Sequence, residues 1–142
     1  MNIDLLDLQS IVDIDKKKVL YCARQVLRAM KEAKSELSLL FVDDGYIKKL
    51  NKKYRRIDKK TDVLAFSMRE GKGSREDSSI LGDVVISLET ARREAMRRKR
   101  PIQKEIELYL VHGILHLLGY RDDKEAFRNK MNNKQKELLE AM

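Results

Sequence analysis

The stretch from Ile80 to Gly119, ILGDVVISLETARREAMRRKRPIQKEIELYLVHGILHLLG, decides the fold, because it reads as a strand followed by two helices. Ile80 to Ser87 is a brief apolar run of strand length. Ser87 then stands where a helix N-cap belongs, ahead of a segment carrying Ala91, Ala95 and Met96. Pro101 occupies the first position of the next helix, where its missing N–H would be unpaired anyway. That helix continues unbroken to Leu118, and Gly119 supplies a left-handed stop.

The rest of the chain extends the same pattern. Ile3 to Leu8 reads as a first strand. Val19, Leu20, Cys22, Ala23, Val26, Leu27 and Met30 recur at three- and four-residue spacing, which predicts an amphipathic helix from Asp15 to Lys34. Glu36 to Val42 (ELSLLFV) is a buried strand, and Asp43 or Asp44 caps a helix that reaches Lys53. Tyr54 to Asp62 is a basic loop leading into the apolar run Val63 to Phe66, and residues 69 to 79, polar with two glycines, form a mobile loop. A last helix covers Asp123 to Glu140. The predicted class is α+β: a small, mostly parallel mixed sheet of about four strands covered by about five helices.

Composition sets limits on function. A chain of 142 residues fits one domain, which can bury roughly two thirds of its unfolded surface. Hydrophobic residues at 42% exclude a disordered chain, and only six Gly and one Pro argue against a many-stranded sandwich or barrel. Cys22 is the single cysteine, so neither an internal disulfide nor a thiolate zinc site is available. The start, Met1-Asn2-Ile3-Asp4, shows no secretion-signal pattern, and no apolar run approaches the ~20 residues of a membrane span, so a cytoplasmic protein without a membrane partner is expected.

The net charge is +8, and it is clustered. Residues 48 to 60 hold eight cations, including Lys52, Lys53, Arg55 and Arg56, against Asp58 alone. Residues 92 to 100 hold six, including Arg97, Arg98 and Arg100, against Glu94. Clusters of this kind supply the phosphate contacts that dominate non-specific nucleic-acid binding. Two solvated basic helix faces are the plainer reading. Aromatic residues are 6% of the chain, so a single strand would be gripped mainly through phosphate.

Both histidines fall in His112-Gly113-Ile114-Leu115-His116. Four residues apart on a helix, they project from one face and can chelate a divalent ion, as in the zincin helix. The turn after Gly119 can bring Asp122 back as a third, oxygen ligand, and three protein ligands with an open position make a catalytic rather than a structural site. Two alternatives stand beside this: histidines that are merely buried or capping, and a capping box of Asp122 with Glu125 for the last helix. Gly113 occupies the place of the Glu general base in the protease helix, so a peptidase using that base is disfavoured.

Three motifs carry a family resemblance. The run HGILHLLGYRDD resembles the H-G-x-L-H-L-x-G-Y-D-H signature of the YbeY family of bacterial endoribonucleases and rRNA maturation factors. LNKKYRRIDKKTDVLAFS is similar to its L-N-x-x-Y-R-x-x-D-x-x-T-D-V-L-S-F-P segment, and LGDVVIS to its L-G-D-I-x-I-S strand. The resemblance spans Asp43 to Asp122. It implies an α+β fold, one zinc per chain at the helix end, and processing of ribosomal RNA, notably the 16S 3′ end. His112 and His116 match the first two metal-binding histidines, and Arg55 matches the arginine associated with activity. Asp122 stands where the family has its third histidine, a change that makes the centre less electrophilic and admits iron or nickel beside zinc. Ser67 replaces the family proline.

The resulting expectation is metal-assisted cleavage of RNA phosphodiesters, with His112, His116 and Arg55 catalytic, His112, His116 and Asp122 holding the metal, and the two basic segments holding RNA. Ribosomal RNA and the small ribosomal subunit or its assembly factors are the implied partners of a monomeric chain. A non-catalytic assembly factor with a structural metal, and a metal-dependent hydrolase of another substrate, are the rival readings.

Overall fold

The first three helices begin where a short polar side chain takes over orphan backbone donors. Asp15 accepts from the Lys18 N–H at 3.3 Å and opens α1 (Lys16–Ala29). Asp43 accepts from the Tyr46 N–H at 2.8 Å and opens α2 (Asp44–Arg55), and Ser87 accepts from the Thr90 N–H at 3.2 Å and opens α3 (Leu88–Arg98). Pro101 precedes α4 (Ile102–Leu117), and Lys124 precedes α5 (Glu125–Glu140). The computed structural model describes residues 2–69 and 79–142, so most of the predicted 69–79 loop lies outside the described residues.

Among the described residues the strands are β1 (Asn2–Asp7), β2 (Glu36–Val42), β3 (Val63–Ser67) and β4 (Ile80–Ser87). They form one sheet in the order β1-β2-β4-β3. β1 is parallel to β2, β2 is parallel to β4, and β3 is antiparallel to β4 with Val63 opposite Ile86 and Ser67 opposite Gly82. The expected mostly parallel sheet with five helices is the architecture found.

Alternation sorts the central strands onto two faces. Leu37, Leu39, Phe41, Val84 and Ile86 turn toward α1, α4 and the main core, which also takes Val19, Cys22, Val26 and Leu27 from α1. Val42, Leu64 and Val85 turn the other way and are covered by Ile47 of α2. α4 sits at the centre of the molecule, with Ile106, Leu110, Val111, Ile114 and Leu115 all removed from solvent. No described helix is long and apolar enough to cross a membrane.

Two glycines permit the closest approaches. A Cβ on Gly82, whose φ is +143°, would lie 2.1 Å from the Phe66 carbonyl oxygen, so only glycine lets β3 pair with β4 there. A Cβ on Gly113 would lie 2.6 Å from Val84 Cγ1 and 3.3 Å from Val63 Cγ2. Gly113 is therefore where α4 rests on the sheet.

α1 is shorter than its periodicity predicts. It ends at Ala29 rather than near Lys34, because Lys31 adopts φ +60° and the Glu32 N–H turns back to the Leu27 carbonyl at 2.7 Å. Gly119, at φ +95°, is the left-handed residue after α4 as anticipated.

Candidate metal centre

His112 and His116 lie one turn apart on α4, and the chain reverses after Gly119 so that Asp122 returns to the same face. The His116 Nε2 is 3.1 Å from the His112 Nε2. Asp122 Oδ2 is 3.3 Å from His116 Nε2 and 3.8 Å from His112 Nε2. One ligand atom from each residue thus falls within a 4.8 Å cluster of the size that holds a single ion. The capping-box alternative for Asp122 is not what the structure shows: Lys124 is the residue before α5, and no side chain caps that helix.

The outer nitrogens decide what the inner ones offer. His112 Nδ1 is 3.0 Å from Gln135 Oε1, and His116 Nδ1 is 3.1 Å from the Tyr120 carbonyl oxygen. The Tyr120 carbonyl can only accept, so His116 Nδ1 carries the proton and its Nε2 presents a lone pair; with the Gln135 amide turned oxygen-first, His112 is set the same way. Two lone pairs facing each other at this distance, with a carboxylate oxygen beside them, repel unless a cation lies between. The donor set therefore fits a divalent ion, and the outer hydrogen bonds orient its ligands. Burial, with the neighbouring His112, holds the His116 imidazole below its ordinary pKa despite the Asp122 carboxylate. That favours the neutral, coordinating form.

The centre lies in a cleft of about 460 Å³. One wall is the face of edge strand β3 carrying Val63, Ala65 and Ser67, and another is the turn Tyr120 to Asp123. Thr61 and Asp62 close one end, and Arg55 reaches the same cleft from the last turn of α2. Its position is set by the loop behind it. Arg56 takes the left-handed cap, and Asn51, buried, donates from Nδ2 to the Lys59 carbonyl at 3.0 Å. Arg121 is bound to Asp123 through two hydrogen bonds rather than to Asp122, which leaves Asp122 to the histidines.

The remaining predicted RNA contacts are placed differently. Lys52, Lys53 and Arg56 are exposed at the C-terminal end of α2, next to Arg55 but outside the cleft wall. Arg97 is paired with Glu94 at 2.6 Å. Arg98 and Arg100 reach Glu105 at 3.5 and 2.6 Å, and Glu105 is fully buried. The second basic segment thus neutralises an internal carboxylate. Glu105 and Gln135 carry no signal in the sequence because neither belongs to a recognisable ligand or nucleophile spacing, and Thr61 and Asp62 read only as the end of the Tyr54 to Asp62 loop.

Fold and site together define an α+β protein with a candidate single-ion centre of two imidazoles and one carboxylate, open to a cleft that also holds an arginine. The family profile described as Endoribonuclease YbeY matches residues 5–142, and the chain belongs to that family. An endoribonuclease YbeY from Pelotomaculum thermopropionicum is 47% identical over 82% of this chain and 79% of its own length. Another, from Caldicellulosiruptor bescii, is 34% identical over 100% of this chain and 98% of its own. A solution structure of a Thermotoga maritima protein superposes with a TM-score of 0.66 at 26% identity, covering 97% of this chain and 87% of that one.

Proposed function

We propose that this chain, as a single domain over residues 1–142, is a metal-dependent endoribonuclease acting on single-stranded RNA. The observation that carries the reading is the convergence of His112, His116 and Asp122 in the cleft that Arg55 also lines, within a family of endoribonucleases. The ion, zinc in the first instance with iron or nickel as alternatives, supplies Lewis acidity toward the phosphodiester when bound. His112 and His116 hold it through Nε2 while Gln135 and the Tyr120 carbonyl keep their rings in register. Asp122 contributes a negative charge that tempers the centre relative to three imidazoles. Arg55 offsets charge developing on the phosphate, and the exposed Lys52, Lys53 and Arg56 beside it hold the flanking backbone.

Family membership supports the finer assignment: maturation of the 16S rRNA 3′ end and ribosome quality control in the cytoplasm, with the small subunit or assembly factors as partners of a monomer. Elemental analysis and RNA cleavage by wild type, His116→Ala and Asp122→Ala test the reading. Wild type carries about one equivalent of metal, and both variants lose metal and cleavage. His116→Ala still binds RNA. Wild-type metal content in Asp122→Ala would overturn the three-ligand site, and cleavage retained in His116→Ala would overturn metal-dependent catalysis.

A further inference from the structure

We propose that the surface beside the metal cleft, built on Arg121 and Phe127 with Tyr120 and Lys130, is a stacking platform for one base of the RNA. The proposal rests on the endoribonuclease reading. A depression of about 280 Å³ is lined by Leu118, Gly119, Tyr120, Arg121, Phe127 and Lys130. Tyr120 and Arg121 also line the metal cleft, so the two spaces are contiguous through these residues. A base on this surface would therefore belong to a nucleotide close to the one at the metal centre.

The guanidinium of Arg121 is held in place from two sides. Its Cζ lies 4.7 Å from the centroid of the Phe127 ring. Its Nε and Nη2 donate to the two carboxylate oxygens of Asp123 at 3.1 and 2.5 Å. Asp123 thereby occupies one of the two edges of the fork, and its charge balances that of the arginine, which weakens the pull of the remaining Nη1 edge on a phosphate. The face of the guanidinium away from Phe127 is offered to a ligand by a side chain that is still 56% exposed. Arginine planes and aromatic rings are the surfaces on which unpaired bases stack. Lys130 Nζ lies 5.8 Å from the Tyr120 ring centroid and adds a cation to the lining of the depression, available to the sugar-phosphate chain. Arg121 stands where the family signature has Asp, so the platform belongs to this chain's own version of the turn.

The test uses short fluorescent single-stranded oligoribonucleotides, intact or with one abasic nucleotide moved along the strand, bound to the metal-loaded protein. Anisotropy is read by stopped flow before cleavage sets in. For wild type, abasic substitution at one position weakens binding about 5- to 150-fold, the range of a lost base stack. In Arg121→Lys, which keeps the charge and removes the plane, the penalty at that position falls below about two-fold. Phe127→Leu, which removes the support beneath the guanidinium, reduces it partway. Wild-type binding that is indifferent to abasic substitution at every position, or a full penalty in Arg121→Lys, overturns the platform while leaving the RNA reading intact. Failure of wild type to bind any of these strands overturns both.

Discussion

Gly113→Ala tests whether the site is placed by the contact of α4 with the sheet. In an isolated helix this change is favourable by about 1 kcal/mol, because alanine is the better helix former. Here the new methyl would sit 2.6 Å from Val84 Cγ1 and 3.1 Å from Val84 Cγ2, against about 3.5–4.0 Å for a relaxed carbon pair. Val84 is fully buried in β4, and its branched side chain has little freedom to rotate away. The helix must back off by about 1 Å, and overpacking against a side chain that cannot rotate away falls in the upper part of the usual range, about 2–3 kcal/mol. The clash therefore wins: Gly113→Ala loses about 1–2 kcal/mol net in urea unfolding followed by circular dichroism, a drop of roughly 3–6 °C in Tm for a chain of this length. Val84→Ala removes both offending methyls, so the double variant is less destabilised than the sum of the singles by about 1–2 kcal/mol. Additive losses, or a Gly113→Ala protein as stable as wild type, would refute the close-packing argument.

Three further outcomes follow from individual contacts. Gln135→Leu removes the acceptor that orients His112 and weakens metal affinity about 10- to 100-fold in a chelator competition, whereas Gln135→Glu, which keeps an acceptor, retains most of it. Arg100→Ala leaves the buried Glu105 with Arg98, at 3.5 Å, as its remaining paired cation among the described residues and lowers stability by about 2–3 kcal/mol, less than for a wholly unpaired buried charge. Asp44 is pushed up by burial but held below its ordinary pKa overall by hydrogen bonds from Thr90, Ser87 and Arg93, so its ionised form stabilises the fold at neutral pH. That contribution is full above the unfolded value of 3.8 and is lost as pH falls through the lower folded value. The stability gap between wild type and Asp44→Asn accordingly narrows only below about pH 4.

The parts of the fold that were legible in the sequence are those where one residue type has one physical reason to be present. Ser87 and Gly119 marked a helix start and stop, and both do so. The end of α1 was not legible, because the left-handed position is taken by Lys31, a residue whose identity announces no stop. Glu105 is the opposite failure. Its neighbours Lys104 and Glu107 are exposed and half-buried, yet Glu105 itself is fully buried with Arg98 and Arg100 around it, so arginines that read as free surface charge have an internal partner. Composition counts charges and cannot count their pairings.

The same distinction governs the site. Spacing alone puts two imidazoles on one face, but it leaves Asp122 equally suited to cap α5 or to join them. The choice is made by neighbours: Arg121 is held by Asp123, the Arg128 guanidinium donates to the Asp122 carbonyl at 3.3 Å, and α5 begins after an uncapped Lys124. With its backbone tied down and its side chain released, the Asp122 carboxylate faces two imidazole lone pairs that already face each other. Removing the carboxylate would leave that repulsion between the imidazoles in place. A proton shared between the nitrogens could relieve it, but a divalent ion also uses the carboxylate's charge, and Gln135 and the Tyr120 carbonyl already hold both rings in the tautomer that such an ion requires.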